Sequence, residues 1–246
     1  MKNGVLLIHA FPLDARMWDE QIDRFGEALT VVAPDLPGFG GSAAPGPVMT
    51  MQAAAERCLQ ALDDAGLDQA MVCGLSMGGY VALELWRRAP ARFAGLLLAN
   101  TKAGADTSEG AEGRRKLAAR LTEEGSWFMV EDPPPLLTPA APEELWARVA
   151  AFIAEQPASS IAAAALGMAE RPDSTGDLAG ITVPTLIITS ESDTLIPPDV
   201  TSPMAEQIPG AELAVIPRAG HLSNLEAQQA FDDLLTQHLR RCGLLV

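Results

Sequence analysis

The sequence predicts an α/β protein built on a mainly parallel sheet of about six strands, with a block of helices inserted before the last two. Three observations carry this. Short apolar runs with no polar alternation recur at residues 5–10, 94–100 and 184–189, as expected of strands covered on both faces. Segments of helical periodicity alternate with them, which implies crossover connections and parallel pairing. From Lys102 to about Gly180 the alternation stops and only helical patterns are found.

Taken in order, residues 5–10 are the first strand, running into His9-Ala10-Phe11-Pro12. Residues 15–29 read as a helix with Trp18, Ile22, Phe25 and Leu29 on one face. Residues 29–33 are a second strand, closed by Pro34-Asp35-Leu36-Pro37-Gly38-Phe39-Gly40-Gly41-Ser42, a loop dense in turn formers. Thr50 is the expected N-cap of a helix to Ala65, and Gly66 ends it. Residues 69–73 are a short apolar strand, and residues 80–88 a helix that Pro90 stops. In the inserted block, residues 112–121, 143–154 and 161–170 are helical, separated by Pro133-Pro134-Pro135 and Pro157. A helical block above a sheet reads as a lid, about 102–180, on one domain of residues 1–246. The strand at 184–189 follows, then a helix near 199–207 and the last strand at 212–216. An amphipathic helix at 224–239 closes the chain, with Phe231, Leu234, Leu235 and Leu239 inward.

Length and composition suit one large α/β unit. The 246 residues are 48% apolar and 20% charged, enough for a substantial core. The formal net charge of −15 argues against a nucleic-acid or anionic-membrane partner, because both need a basic surface. Three cysteines, Cys58, Cys73 and Cys242, give no metal or disulfide framework and suit a reducing compartment. Met1–Asn3 lacks the charge and apolar pattern of a leader, so the expected location is cytoplasmic.

The chemistry centres on Gly74-x-Ser76-x-Gly78, between an apolar run and a helical one. That strand–turn–helix context makes Ser76 an exposed nucleophile on a strained turn that small neighbours must flank. A serine hydroxyl needs a base within hydrogen-bond reach and a third group to orient it. Of three histidines, His9 reads as a loop brace and His238 as a structural residue on the closing helix. His221, just after the last strand, lies where open α/β sheets place their sites. The orienting acid is expected between Ser76 and His221. Asp193 fits, with Glu191 and Asp199 as rivals; a second acid position, after the strand that follows the elbow helix, holds Asn100. Near the elbow, Trp127, Phe128 and Met129 are candidate pocket residues beside Phe11 and Met77, whereas Trp146 and Phe152 fit helix packing equally well. Arg114, Arg115, Lys116 and Arg120, at helical spacing, read as a solvated face.

With these residues in hand, the chain resembles the α/β-hydrolase superfamily over nearly its whole length. The proline turn after His9, the Asp35–Ser42 loop, the Ser76 elbow, Asp193 before Pro197, and Gly220-His221 stand in that family's order. The Ser76-Met77-Gly78-Gly79 elbow is similar to 3-oxoadipate enol-lactonases, small carboxylesterases and cofactor-free haloperoxidases. The resemblance implies a Ser76–His221–Asp193 triad, and an oxyanion hole from the backbone amides of Phe11 and Met77. It implies hydrolysis of a small ester or lactone through an acyl-enzyme, without cofactor or metal. A non-catalytic small-molecule receptor, or an acyltransferase or perhydrolase, are the alternatives on the same fold.

The chain departs from the family in three places. Ala10 and Ser190 stand where glycine is usual, and two leading strands are absent. The absence leaves the strand at 29–33 as an unpaired apolar edge, which a partner chain, as in a homodimer, or loops are expected to shield.

Overall fold

Six parallel strands in the order β2-β1-β3-β4-β5-β6 organise the computed structural model, which describes residues 2–246. Met1, part of the stretch read for a leader, lies outside the described residues. In chain order the strands are β1 Asn3–Ile8, β2 Val31–Val32, β3 Gln69–Leu75, β4 Phe93–Ala99, β5 Thr185–Ser190 and β6 Glu212–Ile216. β1, β3, β4 and β5 are buried almost throughout, which is why they read as unbroken apolar runs. β6 is an edge strand with Leu213 and Val215 exposed.

The other edge differs from the expectation. Of residues 29–33 only Val31 and Val32 pair, with Val5 and Leu6. Two residues present little edge to another chain, and both are half-buried within this one.

Helices cover both faces. α1 (Asp19–Phe25) is shorter than the pattern predicts, because residues 15–18 form a separate 3-10 turn. α2 (Met51–Asp64) starts at the predicted cap, with Thr50 Oγ1 accepting the Ala53 N–H at 3.1 Å. α3 (Met77–Arg88) follows β3 directly. Between β4 and β5 lie α4 (Ser108–Glu124), α5 (Phe128–Glu131), α6 (Glu143–Glu155) and α7 (Ala158–Ala169). The expected helix near 199–207 is two short ones, α8 (Pro198–Thr201) and α9 (Pro203–Gln207). Pro203 cannot donate into a continuing helix, so the chain restarts there. The closing helix likewise breaks at Ala227 into α10 (Ser223–Glu226) and α11 (Gln228–Arg241). Among the described residues no single helix is long and apolar enough to cross a membrane.

The inserted helices are tied to the sheet end at several points. Met49 N–H donates to Ala163 O and Leu222 N–H to Leu136 O, at 2.9–3.0 Å, and Arg87 Nη2 donates to Ser174 Oγ at 2.9 Å. Glu226 accepts the Gly220 N–H at 2.8 Å and the Thr138 N–H at 3.1 Å, bridging the loop of His221 to the insertion. Gln156 joins Asp14 and the Gly40 amide. Residues 126–132, by contrast, make only local backbone hydrogen bonds among the described residues.

Candidate active site

Ser76 sits between β3 and α3 at φ 56°, ψ −116°. A non-glycine residue stays there only when its surroundings over-determine it. Here the Ser76 N–H donates to Ala99 O, the Gly79 N–H donates to Ser76 O, each at 2.9 Å, and the Thr101 hydroxyl donates to Ser76 O at 2.7 Å. A Cβ on Gly74 would meet Gly78 O at 2.3 Å, and one on Gly78 would meet Ile8 O at 2.1 Å. The two glycines therefore let the start of α3 close against β3 and β1. That approach brings Met77 beside the chain leaving β1, which carries Phe11. The backbone N–H groups of both have no hydrogen-bond partner among the described residues. Ala10 is fully buried and does not adopt positive φ, so the loop accommodates alanine where the family has glycine.

His221 and Asp193 come from two loops at the carboxyl ends of β6 and β5. Asp193 Oδ2 lies 2.8 Å from His221 Nδ1, and both side chains are buried. Oδ1 accepts the Leu195 and Ile196 N–H groups at 2.9 and 3.0 Å. Burial pushes the Asp193 carboxyl up, but the bonds from His221, Ile196 and Asn100 outweigh it and hold the group below its ordinary value. Of the rivals, Glu191 is exposed and accepts the Arg218 N–H, and Asp199 is exposed on α8.

Asn100, set aside as an acid, lies against the acid instead. Its Nδ2 donates to Asp193 Oδ2 at 2.9 Å and to Ser190 Oγ at 3.0 Å, while its Oδ1 accepts from Ser223 Oγ at 2.7 Å. Its backbone is left-handed at φ 46°. Ser190, where the family has glycine, thus has a hydrogen-bonding role. Sequence reasoning placed Asn100 at the right strand end, but nothing local signals that β4, β5 and the His221 loop converge on its amide.

Ser76 and His221 line one cavity of about 230 Å³, together with Phe11, Met129, Leu136 and Ile196. Of the expected pocket residues, Met129 is there. Trp127 is 61% exposed, and Phe128 lies under the Arg120 guanidinium at 3.7 Å, facing a neighbouring surface cleft. The short α5 turns only one side chain of the three inward. Trp146 and Phe152 pack among the helices, away from the cavity; the Trp146 indole donates to Thr138 O.

Arg114 departs from the solvated-face reading: it points into the cavity, with Tyr80 and Lys102, while Arg115, Lys116 and Arg120 remain exposed. Asp106 accepts from Lys102 at 3.0 Å, Arg114 at 2.5 Å and Arg171 at 2.9 Å. Burial alone would raise its pKa, yet the Arg171 and Arg114 bonds hold it far below the carboxylate range. Burial also raises the Tyr80 phenol, which therefore stays a neutral donor.

The remaining histidines stand apart from this cavity. His9 Nε2 accepts the Leu36 N–H at 3.0 Å, its Nδ1 faces Ala10 O at 3.1 Å, and burial lowers its pKa. Burial and Arg241 push His238 down to about 4.

The chain is similar to known proteins over most of its length. A thermophilic esterase from Thermogutta terrifontis, solved malate bound, is 38% identical, with a TM-score of 0.94 over 98% of this chain and 90% of that one. A 3-oxoadipate enol-lactonase of Acinetobacter baylyi is 28% identical over 236 residues, covering 92% of this chain and 84% of that protein. A pimeloyl-(acyl-carrier protein) methyl ester esterase of Aromatoleum aromaticum is 39% identical over only 97 residues, 39% of this chain and 36% of that one. The model of the alpha/beta hydrolase family matches residues 5–234. With the expected sheet in place and the match spanning most of its length, the chain belongs to the alpha/beta hydrolase family.

Proposed function

We propose that the protein hydrolyses small carboxylic esters or lactones through an acyl-enzyme on Ser76. The observation that carries this is the shared cavity: a serine on a strained elbow and a buried His221–Asp193 pair open onto the same space. The names of the enol-lactonase and esterase relatives support it.

In this reading His221, its Nδ1–H held by Asp193, presents Nε2 toward the cavity and takes the Ser76 proton as Oγ attacks the carbonyl. Among the described residues Ser76 Oγ has no hydrogen-bond partner. Such bonds commonly tighten only when substrate is bound. The developing oxyanion is received by the Phe11 and Met77 amides, each contributing about 3 kcal/mol. His221 then protonates the leaving alkoxide, activates a water, and the ester bond to Ser76 is cleaved to release the acid. The inserted helices serve as the lid, with Met129 and Leu136 excluding water from the acyl group.

The test is a burst experiment with p-nitrophenyl esters of increasing acyl length. The native chain gives a burst of p-nitrophenol followed by steady turnover, and intact-mass spectrometry finds the acyl group on the Ser76 peptide. A folded native chain with no activity, or a burst that persists in Ser76→Ala, refutes the reading.

A further inference from the structure

Three cations crowd one carboxylate at the wall of the Ser76 cavity. Lys102 comes from the loop after β4, Arg114 from α4, and Arg171 from the chain leaving α7; all three contact Asp106. Arg171 is buried: it stacks on Tyr80 at 4.0 Å and donates through its two terminal nitrogens to the Met168 and Gly104 carbonyls and to Asp106, while its Nε has no partner among the described residues. Lys102 and Arg114 are different. Their side chains keep 27% and 24% exposure, and both line the cavity that Ser76 and His221 line. Apart from Asp106, Arg114 touches only the Met168 sulfur, and Lys102 has no other partner among the described residues.

The neighbouring acids do not balance them. Glu84 is engaged by Arg87 and Arg88, and Asp173 is exposed and takes the Ala105 and Thr175 amides. Asp173 offsets part of the charge of Arg171, but at the cavity wall Lys102 and Arg114 share the single carboxylate of Asp106 with it, which leaves a positive surplus. Such a surplus is stabilised by an anion arriving with hydrogen-bond acceptors, and a carboxylate meets a guanidinium and an ammonium equally well. The chain as a whole is at −15, so its overall field repels anions. Attraction of an anion here is local.

We propose that the substrate carries a free carboxylate besides its scissile ester or lactone, and that Lys102 and Arg114 dock it while Ser76 attacks the other end. Tyr80, lining the same wall, supplies a further neutral donor. The proposal rests on the hydrolase reading above and narrows it to half-esters of dicarboxylic acids, esters of hydroxy acids, or lactones bearing an acid group. Arg114 and Lys102 are specificity-determining residues in this scheme.

The experiment compares each anionic ester with a neutral isostere in which an isopropyl group replaces the carboxylate. Monomethyl glutarate is paired with methyl 5-methylhexanoate, and 3-acetoxypropanoate with isopentyl acetate, so the acid lies on the acyl side in one pair and on the alcohol side in the other. In at least one pair the native chain favours the anionic ester by about tenfold or more in kcat/KM, through KM. That ratio collapses toward parity in Arg114→Met and in Lys102→Met, and shrinks as salt is raised. Arg115→Met, on the solvent side of α4, leaves the ratio unchanged. Equal or better hydrolysis of both isosteres overturns the carboxylate proposal and leaves the hydrolase reading standing. Hydrolysis of neither member of either pair leaves the hydrolase reading to the burst experiment. Calorimetric binding to Ser76→Ala then decides: tighter binding of monomethyl glutarate than of its isostere supports the carboxylate site, and no difference overturns it.

Discussion

His9 and His221 stand beyond the ends of two strands of the same sheet, both almost wholly buried, yet one braces a loop and the other is the base we propose. The difference lies in what each ring meets. His9 Nε2 receives a backbone amide, that of Leu36, and its Nδ1 faces a carbonyl, so neither nitrogen is left for chemistry. His221 gives one nitrogen to a carboxylate and leaves the other toward a cavity. A buried imidazole capped by backbone groups has nowhere to put a second proton, and burial depresses it further. One facing a carboxylate has a counter-charge waiting for the imidazolium. Burial alone therefore does not separate a structural histidine from a reactive one; the partner does.

The sharpest way to break this comparison is to remove the counter-charge. Asp193→Asn keeps the shape and is expected to lower kcat roughly a thousandfold to ten-thousandfold, with His221→Ala at least as severe. Steady-state kinetics on a p-nitrophenyl ester check both. A drop below tenfold in Asp193→Asn would place the two histidines in one class.

Next comes the pH dependence of stability. His238 is the second histidine away from the cavity, pushed down to about 4 against about 6.5 in the unfolded chain. Between those values the unfolded state binds the extra proton. Stability therefore falls as pH drops from about 6.5 to 4, by about 3 kcal/mol from this group. His9 acts in the same direction. Urea titrations of the native chain and His238→Leu across that range measure it: the variant's curve is flatter. Asp193 and Asp106, both held low, add a further loss only as pH falls below about 4.

His9→Ala leaves the Leu36 amide buried without a partner, and is expected to cost about 2–3 kcal/mol. Thermal melts report this, while the pH–rate profile keeps its shape, because His9 does not titrate in the reaction. The smallest effect is at Asn100. Its amide fixes one oxygen of Asp193, so Asn100→Ala should reduce kcat about tenfold with KM held, through a less well oriented His221. A KM change with kcat intact would instead make Asn100 a substrate contact.

What the sequence disclosed and withheld follows the same division. The strands, the elbow glycines and the strand-end positions of Asp193 and His221 are local patterns, each read from residues close by in the chain. The role of Asn100 is not local: it needs side chains from β5 and from α10 brought to the end of β4. Arg114 misled for a related reason. Arg114, Arg115 and Lys116 are consecutive and so point about 100° apart around the helix, and their sequence does not say which of them turns toward the cavity. The same ambiguity put Trp127 and Phe128 beside Met129 in expectation, when only Met129 turns in.

The bridge through Glu226 has a consequence for traffic. Glu226 and the Leu222–Leu136 bond fasten the insertion to the loop of His221, and Gln156, Ala163 and Ser174 fasten it elsewhere. Lifting the roof at the Glu226 rim would pull the imidazole away from Asp193 with each opening. Residues 126–132, bounded by Gly125 at φ 78° and the Pro133–Pro135 run, carry no such tether. In the proposed hydrolase the doorway would thus be hung with its hinge on the histidine and its free edge at Trp127, so that molecules come and go without disturbing the proposed proton carrier.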